Sequence, residues 1–348
     1  MSGAPLLEVE HLQVSFATDE GTVSAVDDVS FGLTEGEILA VVGESGSGKS
    51  VTAMTLMGLT RSPNARFRGS ARLRGQELVS ASDEELRRIR GKDIAMIFQD
   101  PMTSLNPVYR IGDQIVEQIQ AHAGVPTGEA RDRVVELLER VGIPRARERM
   151  DSFPHEFSGG MRQRVMIAMA LSNDPSVLIA DEPTTALDVT IQAQILEVIR
   201  DLRERTNAGV LLVTHDLGVV ADVADRVVVM YAGRVVEHGT LDEVFYDPQH
   251  PYTWGLLGSI TRVDRPRPPR LPSIPGLPPS LISRPQGCHF RPRCPHEFDR
   301  CPETPDLAAR DRSRPTHLDR CWLPVEAKRE RRETTEGQIG LVAEGATA

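Results

Sequence analysis

Residues 38–50 decide the fold of this chain, and they read Ile38-Leu39-Ala40-Val41-Val42-Gly43-Glu44-Ser45-Gly46-Ser47-Gly48-Lys49-Ser50. The first five residues form an apolar run with the length of a buried strand, and closely spaced glycines follow it directly. Glycines allow successive backbone N–H groups to converge on phosphate oxygens, and a helix that begins after them presents its positive end to the same anion. We expect Lys49 to reach the β and γ phosphates of a nucleotide and the Ser50 hydroxyl to ligate Mg²⁺. Residues 43–50, here called the cradle, therefore predict a nucleotide-binding site.

Composition and charge narrow the function classes. The 348 residues include 40 lysines and arginines against 50 aspartates and glutamates. The resulting net charge of −10 disfavours a nucleic-acid-binding protein. No apolar run approaches the ~20 residues of a membrane-spanning helix. The N-terminus carries Glu8 and Glu10 and no apolar signal segment. We expect a cytoplasmic protein that reaches a membrane only through its partners.

A second apolar run, Val177-Leu178-Ile179-Ala180, ends in the carboxylates of Asp181 and Glu182. This pattern is typical of a buried parallel strand that delivers side chains to its carboxyl end, where open α/β sheets bind ligands. We expect Asp181 to belong to the Mg²⁺ shell and Glu182 to polarise the attacking water. A strand that merely ends in surface acids is the alternative, and the cradle upstream disfavours it.

The segment Ser158-Gly159-Gly160-Met161 begins an apolar-rich stretch and predicts a helix N-terminus with Ser158 as its cap. Its two glycines leave N–H groups able to face an anion, so the segment is a second phosphate-facing element. Placed between the cradle and the strand with the two acids, it resembles the signature of ATP-binding-cassette (ABC) ATPases. The resemblance implies that the signature closes on the γ-phosphate held by the cradle of a second subunit. Met161 stands where the commonest version of the motif has glutamine.

Further positions resemble this family's motifs in the same order along the chain. Gln99 resembles the glutamine that ligates Mg²⁺ or the attacking water, and His215 resembles the switch histidine that contacts the γ-phosphate. Asp188, in Ala186-Leu187-Asp188, resembles the loop that crosses the dimer interface. Phe16 matches the aromatic that stacks on adenine, although a phenylalanine at a strand end is also typical of a core. The resemblance implies hydrolysis of ATP to ADP and phosphate, with Gln99, Glu182 and His215 as catalytic residues.

Two more stretches resemble one branch of the family, the importers of oligopeptides, dipeptides and nickel. They are Phe98-Gln99-Asp100-Pro101-Met102-Thr103-Ser104-Leu105-Asn106-Pro107 and His250-Pro251-Tyr252-Thr253. The likeness covers residues 6–324, and the signature with methionine resembles that of the first of two paired ATPases. It implies a heterodimer with a sister ATPase, bound to two permease subunits at the cytoplasmic face of the membrane and fed by an extracytoplasmic substrate-binding protein. The cargo stays open between dipeptides, oligopeptides, nickel and other solutes.

The four cysteines all lie in one proline-rich C-terminal segment, at Cys288, Cys294, Cys301 and Cys321. A cytosolic location disfavours disulfides, which leaves a metal site or four unrelated thiols. Gaps of 5, 6 and 19 residues separate the cysteines, wider than the two-residue gaps usual in zinc ribbons. Residues 287–294 resemble the peptide-importer extension that carries a 4Fe–4S cluster. We therefore expect such a cluster, with zinc as the alternative.

The predicted fold is an α/β P-loop ABC cassette with an antiparallel β portion near the N-terminus. We expect the nucleotide-binding domain at residues 1–260, with a helical subdomain at about residues 100–172, and a cysteine-bearing extension at residues 261–324. The tail, residues 325–348, is charged and poor in apolar residues, which predicts disorder. The alternative in another function class is a soluble cassette ATPase that acts on nucleic acid or ribosomes. A single cassette and the lack of a heptad run disfavour it.

Overall fold

A computed structural model describes residues 5–100, 104–184, 188–260 and 273–339 of the chain. The strands, in chain order, are β1 (Leu7–Thr18), β2 (Gly21–Leu33), β3 (Ile38–Val42), β4 (Ala65–Leu73), β5 (Gln76–Glu77), β6 (Ile94–Ile97), β7 (Val177–Asp181), β8 (Gly209–Val213), β9 (Arg226–Tyr231), β10 (Arg234–Thr240), β11 (Ala308–Ala309) and β12 (Leu318–Asp319). The helices are α1 (Lys49–Leu56), α2 (Asp83–Ile89), α3 (Ile111–His122), α4 (Thr127–Arg140), α5 (Ala146–Arg149), α6 (Gly159–Ala170), α7 (Val189–Thr206), α8 (Leu217–Val223), α9 (Leu241–Tyr246), α10 (Pro251–Gly258) and α11 (Val325–Ile339).

The central sheet of the described residues has the strand order β11-β12-β10-β9-β3-β8-β7-β6. Strands β9, β3, β8, β7 and β6 run parallel to one another. Every residue of β3, β6, β7 and β8 is buried, because other elements cover both faces of this parallel part of the sheet and leave no polar side. The carboxyl ends of these strands therefore meet at one edge, which brings together the segments that follow them.

A second sheet of the described chain, with the order β2-β1-β4-β5, is antiparallel. Strand β1 pairs with both β2 and β4, and its residues alternate between buried and more exposed positions, as a half-buried strand requires. Its buried side chains join a core cluster that also contains Leu39 and Val41 of β3. The predicted α/β cassette with an antiparallel β portion is thus confirmed.

Helices α3 to α6 lie between β6 and β7. The apolar faces of these helices share one core cluster, which includes Ile115 of α3, Val134 of α4 and Val165 of α6. The same cluster contains Leu178 of β7 and Leu212 of β8, so the helices pack directly on the central sheet. This packing fixes the start of α6, where the predicted signature lies. Of the whole described part of the chain, no helix is both long and apolar enough to cross a bilayer.

The cysteine-bearing extension packs on the central sheet. Its strand β12 pairs with β10, and Phe290 shares a core cluster with Tyr231 of β9 and Tyr252 of α10. The prediction of a disordered tail is wrong for residues 325–339, which form α11. Lys328 of this helix is buried and donates to Asp319 of β12 at 2.7 Å. Residues 340–348 and the linker at residues 261–272 lie outside the described part of the chain.

Candidate active site

The cradle connects the end of β3 to the start of α1, and two of its glycines are required by the space around them. Gly43 has a φ of +151°, and a Cβ atom there would lie 2.1 Å from the Met230 carbonyl oxygen. Gly48 has a φ of +101°, and its Cβ atom would lie 2.5 Å from the Ala25 carbonyl oxygen. Any side chain at either position would collide with backbone. The cradle therefore keeps its shape only with glycine at these two places.

Lys49 is the first residue of α1, and its ammonium group lies inside the cradle. The group donates to the carbonyl oxygens of Gly43 at 2.7 Å and Glu44 at 3.1 Å, and the residue is 5% exposed. Burial lowers the pKa of Lys49, although the carboxylates of Glu182, Asp181 and Glu44 act in the opposite direction. The cradle thus holds a partly desolvated cation at the position that a phosphate-binding lysine occupies in such a loop.

Ser50 and Asp181 form a pair of oxygen ligands beside the cradle. The Ser50 hydroxyl donates to Asp181 Oδ1 at 3.0 Å, which joins the start of α1 to the end of β7. Burial raises the pKa of Asp181 and the charge of Glu182 raises it further, while the Ser50 hydrogen bond and Lys49 lower it. A hydroxyl and a carboxylate at this spacing are the ligands that Mg²⁺ prefers, so the residues fit the predicted cation.

The three predicted catalytic residues meet at the same edge of the sheet. Gln99 Nε2 donates to Glu182 Oε2 at 2.9 Å, and His215 Nδ1 lies 3.2 Å from Glu182 Oε1. The Glu182 N–H group donates to the Val213 carbonyl at 2.8 Å, which anchors the residue at the end of its strand. With a φ of +48°, Glu182 lies in the left-handed region that few side chains adopt. Strand order explains this meeting, since Gln99 follows β6, Glu182 follows β7 and His215 follows β8.

The remaining predicted site residues lie at helix starts or in the core. Ser158 caps α6 by accepting from the Met161 N–H at 3.3 Å, and Ser158 and Gly159 are exposed to solvent. Gly160 follows them as the second residue of α6. Asp188 caps α7 by accepting from the Ile191 N–H at 3.0 Å. Ala186 and Leu187, and Pro101 to Thr103 after Gln99, lie outside the described residues.

Phe16 belongs to β1 and is half-buried. It packs against the core cluster of the antiparallel sheet. This contact agrees with a core residue, and the stacking of adenine on Phe16 stays a prediction.

Comparison with known proteins identifies the family. The sequence profile described as "ABC transporter" matches residues 26–185, and the one described as "Oligopeptide/dipeptide transporter, C-terminal region" matches residues 236–301. The oligopeptide transport ATP-binding protein OppD of Salmonella typhimurium is 52% identical over 92% of this chain and 94% of its own length. OppD of Bacillus subtilis is 53% identical over 91% of this chain and 88% of its own length. The chain belongs to this OppD family of ABC ATPases.

Solved cassettes share the fold of this OppD-type chain. The dimeric, post-hydrolysis ATP-binding cassette MJ0796 with ADP and Pi has a TM-score of 0.62 and 27% identity, and the match covers 68% of this chain and 98% of that one. CbiO1 of Clostridium perfringens has a TM-score of 0.58 and 28% identity over 70% of this chain and 92% of its own.

In this OppD-type chain the four cysteines come together in the extension. They carry thiols rather than disulfides, and all four line one small pocket together with Phe290 and other residues of the extension and α10. Burial raises the pKa of Cys288, and it raises the pKa of both Cys294 and Cys321 to about 12. Among the described residues, however, no group of three or more His, Cys, Asp or Glu side chains is arranged to hold a metal ion.

Sequence reasoning missed three residues that connect this site to its surroundings. Gln163 of α6 donates to the Pro183 carbonyl at 2.8 Å, which joins the signature helix to the residue after Glu182. Tyr252 and Arg293 both contact Glu44 in the cradle. Tyr252 lies in the His250-Pro251-Tyr252-Thr253 stretch, so the sequence did carry a signal there, but its spacing from the cradle gave no indication of a contact. Arg293 carried no signal of its own.

Proposed function

We propose that this chain is the ATP-hydrolysing subunit of an importer that takes up peptides across the cytoplasmic membrane. The observation that carries the proposal is that Gln99 and His215 both contact the Glu182 carboxylate beside the cradle, at 2.9 Å and 3.2 Å. The OppD relatives are named as oligopeptide transport proteins, which supports peptides as the cargo class. The same names favour an importer over a soluble cassette that acts on nucleic acid or ribosomes.

The geometry supports a division of labour among the side chains. The cradle N–H groups and Lys49 bind the phosphates of ATP and hold the γ-phosphate in line for attack. Ser50, Asp181 and Gln99 would hold Mg²⁺, which neutralises charge on the phosphates when it is bound. Glu182 accepts a hydrogen bond from the attacking water and polarises it, because its carboxylate lies at the end of β7 beside the cradle. Gln99 and His215 orient that carboxylate from either side.

The exposed signature supports a site shared by two subunits. Ser158 and Gly159 face solvent at the start of α6, so a second cassette can reach them. We propose that they complete the ATP site of a sister ATPase in a heterodimer, with Asp188 at the interface. The pair would bind two permease subunits at the cytoplasmic face of the membrane and receive cargo from an extracytoplasmic substrate-binding protein. ATP closure and hydrolysis would then drive the permeases between outward and inward access.

We also propose that Cys288, Cys294, Cys301 and Cys321 hold a 4Fe–4S cluster. Such a cluster suits four thiolates that line one pocket, because each thiolate binds a different iron. The wide sequence gaps between the cysteines favour the cluster over zinc, which stays the alternative. The cluster would clamp a segment that has little apolar core of its own.

Glu182→Gln tests the proposed function. With its sister subunit and permeases present, the variant should bind ATP and lose roughly 10²–10⁴-fold of its turnover, because it lacks the group that polarises water. Phosphate release measures turnover, and nucleotide retention on the assembled pair measures binding. Glu204→Gln, an exposed position on α7, is the matched control and should keep parental turnover. Parental turnover by Glu182→Gln would remove this residue from its proposed role.

A further inference from the structure

Glu44, the second residue of the cradle, is held by two residues from outside the cassette motifs. Its N–H group donates to the Tyr252 hydroxyl oxygen at 2.8 Å. Its carboxylate accepts two parallel hydrogen bonds from Arg293, from Nη1 to Oε2 at 2.6 Å and from Nη2 to Oε1 at 3.0 Å. Such a bidentate pair fixes both the position and the orientation of a carboxylate. The backbone and the side chain of Glu44 are therefore each restrained by a different partner.

Both partners are themselves fixed by burial. The Arg293 side chain is 4% exposed and also donates to the carbonyl oxygens of Pro275 at 2.9 Å and Ile274 at 3.2 Å. Tyr252 is fully buried, and its ring centroid lies 4.5 Å from that of Tyr231. The guanidinium of Arg293 also contacts this cluster, with its central carbon 5.8 Å from the Tyr231 ring centroid. The restraint on Glu44 is thus built on a packed support rather than on mobile surface chains.

The restraint extends to the phosphate-binding lysine. Lys49 donates to the carbonyl oxygens of Gly43 and Glu44. The peptide between these two residues therefore contacts Lys49 through its oxygen and Tyr252 through its N–H group. Arg293 also neutralises a carboxylate in the loop that binds phosphate anions. Without it, the charge of Glu44 would repel the phosphates and the peptide could rotate.

We propose that Arg293 and Tyr252 are positioning residues for ATP, and that they act through Glu44 to keep the cradle open and electrostatically suited to phosphate. The proposal rests on the cradle being the ATP site. It gives the extension a part in nucleotide binding, in addition to its cysteines. It also gives the His250-Pro251-Tyr252-Thr253 stretch a physical role, since α10 presents Tyr252 to the cradle.

The test is ATP affinity of the full-length chain, measured by competition against a fluorescent ATP analogue. Arg293→Ala should weaken ATP binding about tenfold, because it removes a charge-assisted bidentate pair and leaves Glu44 charged beside the phosphates. Arg293→Lys should fall between the parent and Arg293→Ala, since lysine restores the charge but not the fork. Tyr252→Phe should weaken binding by a few-fold while keeping the ring in its cluster. Arg291→Ala is the matched control, because Arg291 lies in the same helical turn and pairs with Glu297 instead.

A second substitution separates positioning from mere support of the fold. Glu44→Gln added to Arg293→Ala removes the unpaired charge and should recover most of the lost affinity, to within about threefold of Glu44→Gln alone. A general loosening of the extension would not be rescued in this way. The proposal would be overturned if Arg293→Ala bound ATP as tightly as the parent. It would also be overturned if the double variant bound ATP as weakly as Arg293→Ala alone.

Lys49→Ala distinguishes failure of this inference from failure of the proposed function. If Lys49→Ala abolishes binding and Arg293→Ala does not change it, only the positioning role is wrong. If neither variant changes affinity, the cradle is not the ATP site and both proposals fall. Unfolding temperatures of all variants, measured without nucleotide, show whether each one is folded. Should Arg293→Ala be unfolded, Arg293→Lys and Tyr252→Phe carry the test by the same comparison.

Discussion

The cradle and the extension contribute to one nucleotide site in opposite ways. The cradle supplies its groups from eight adjacent residues, and their roles follow from backbone conformation and local spacing. The extension supplies Arg293, which lies 249 positions along the chain from the Glu44 that it binds. The first kind of contribution is visible in a short motif, and the second exists only once β12 and the aromatic cluster have packed the extension against the central sheet.

This difference shows where the site can tolerate change. Gly43 and Gly48 admit no side chain, because backbone oxygens occupy the space that a Cβ atom would need. Arg293 and Tyr252 stabilise a shape that the cradle already adopts, so their loss should weaken binding without abolishing it. Substitutions at the cradle glycines should therefore abolish ATP binding, and substitutions of Arg293 or Tyr252 should only weaken it.

The largest effect on ATP hydrolysis is expected from a substitution in the signature, which lies on the cassette side of this comparison. Gly159→Asp should leave ATP binding by the isolated chain unchanged and abolish hydrolysis in the complex with a sister ATPase. A Cβ atom at Gly159 meets nothing within 4 Å, and an acid in the first turn of α6 suits the helix dipole, so the fold should accept it. In the complex, the new carboxylate would face the γ-phosphate of the partner's site and repel it.

Gly159→Asn is the matched control for that experiment, because it adds the same volume without the charge. It should retain more hydrolysis than Gly159→Asp. Phosphate release by the assembled complex and ATP titration of the isolated chain are the two measurements. Lost ATP binding in the isolated Gly159→Asp chain would contradict a site shared between subunits.

The sequence allowed the cassette side of this comparison to be predicted in detail. Strand-length apolar runs located β3 and β7, and the parallel order then placed the side chains that follow them at one edge. Gln99 and His215 were predicted from their resemblance to the family's motifs, and the parallel strand order explains why they lie beside Glu182. Met161, at the variable position of the signature, did not prevent recognition of the motif.

The extension could not be predicted in the same way, because its order depends on contacts between distant residues. Helix α11 is charged and lacks an apolar stripe, which is why disorder was expected there. It is anchored by a buried ion pair, in which the side chains of Lys328 and Asp319 are each 1% exposed. Composition contains no sign of such a pair. The contact between Arg293 and Glu44 escaped prediction for the same reason.

An intermediate effect is expected from Cys294→Ser, which tests the extension. Loss of a cluster ligand should lower the unfolding temperature of anaerobically purified protein by about 5 °C or more, because metal binding stabilises only the folded segment. ATP affinity should fall less than tenfold, through the neighbouring Arg293. Thr304→Ser, an exposed change in the extension, is the control. Elemental analysis decides the metal: iron supports the cluster, zinc without iron supports the alternative, and neither metal in the parent would contradict a metal site.

The smallest effect is expected at the joint between the two regions, where His250 holds the start of α10. Its Nδ1 atom accepts from the Tyr252 N–H at 3.1 Å, which only a neutral nitrogen can do, and the residue is 1% exposed. Burial lowers the pKa of His250 to about 3, and the charge of Lys328 acts in the same direction. The unfolded chain then binds a proton that the folded chain does not between pH 6.5 and about 3. The contribution of His250 to the free energy of unfolding is therefore fully present above pH 6.5 and is lost as the pH falls below that value.

His250→Asn should make the stability of the protein less sensitive to acid. Asparagine can accept the same capping hydrogen bond with its side-chain oxygen and does not titrate, so it should lose less stability than the parent when the pH is lowered from 7.5 to 4.5. The expected difference is about 2 kcal/mol in the free energy of unfolding over that range, measured by denaturant titration at each pH. Buried His238 and His289 have pKa values lowered to about 3 and about 4, so the variant should retain part of the parental slope. His155→Asn, at an exposed position, should leave that slope unchanged. If His250→Asn and the parent lose the same free energy of unfolding, acid destabilises the start of α10 through another group. In that case α10 does not depend on a neutral His250 to present Tyr252 to the cradle.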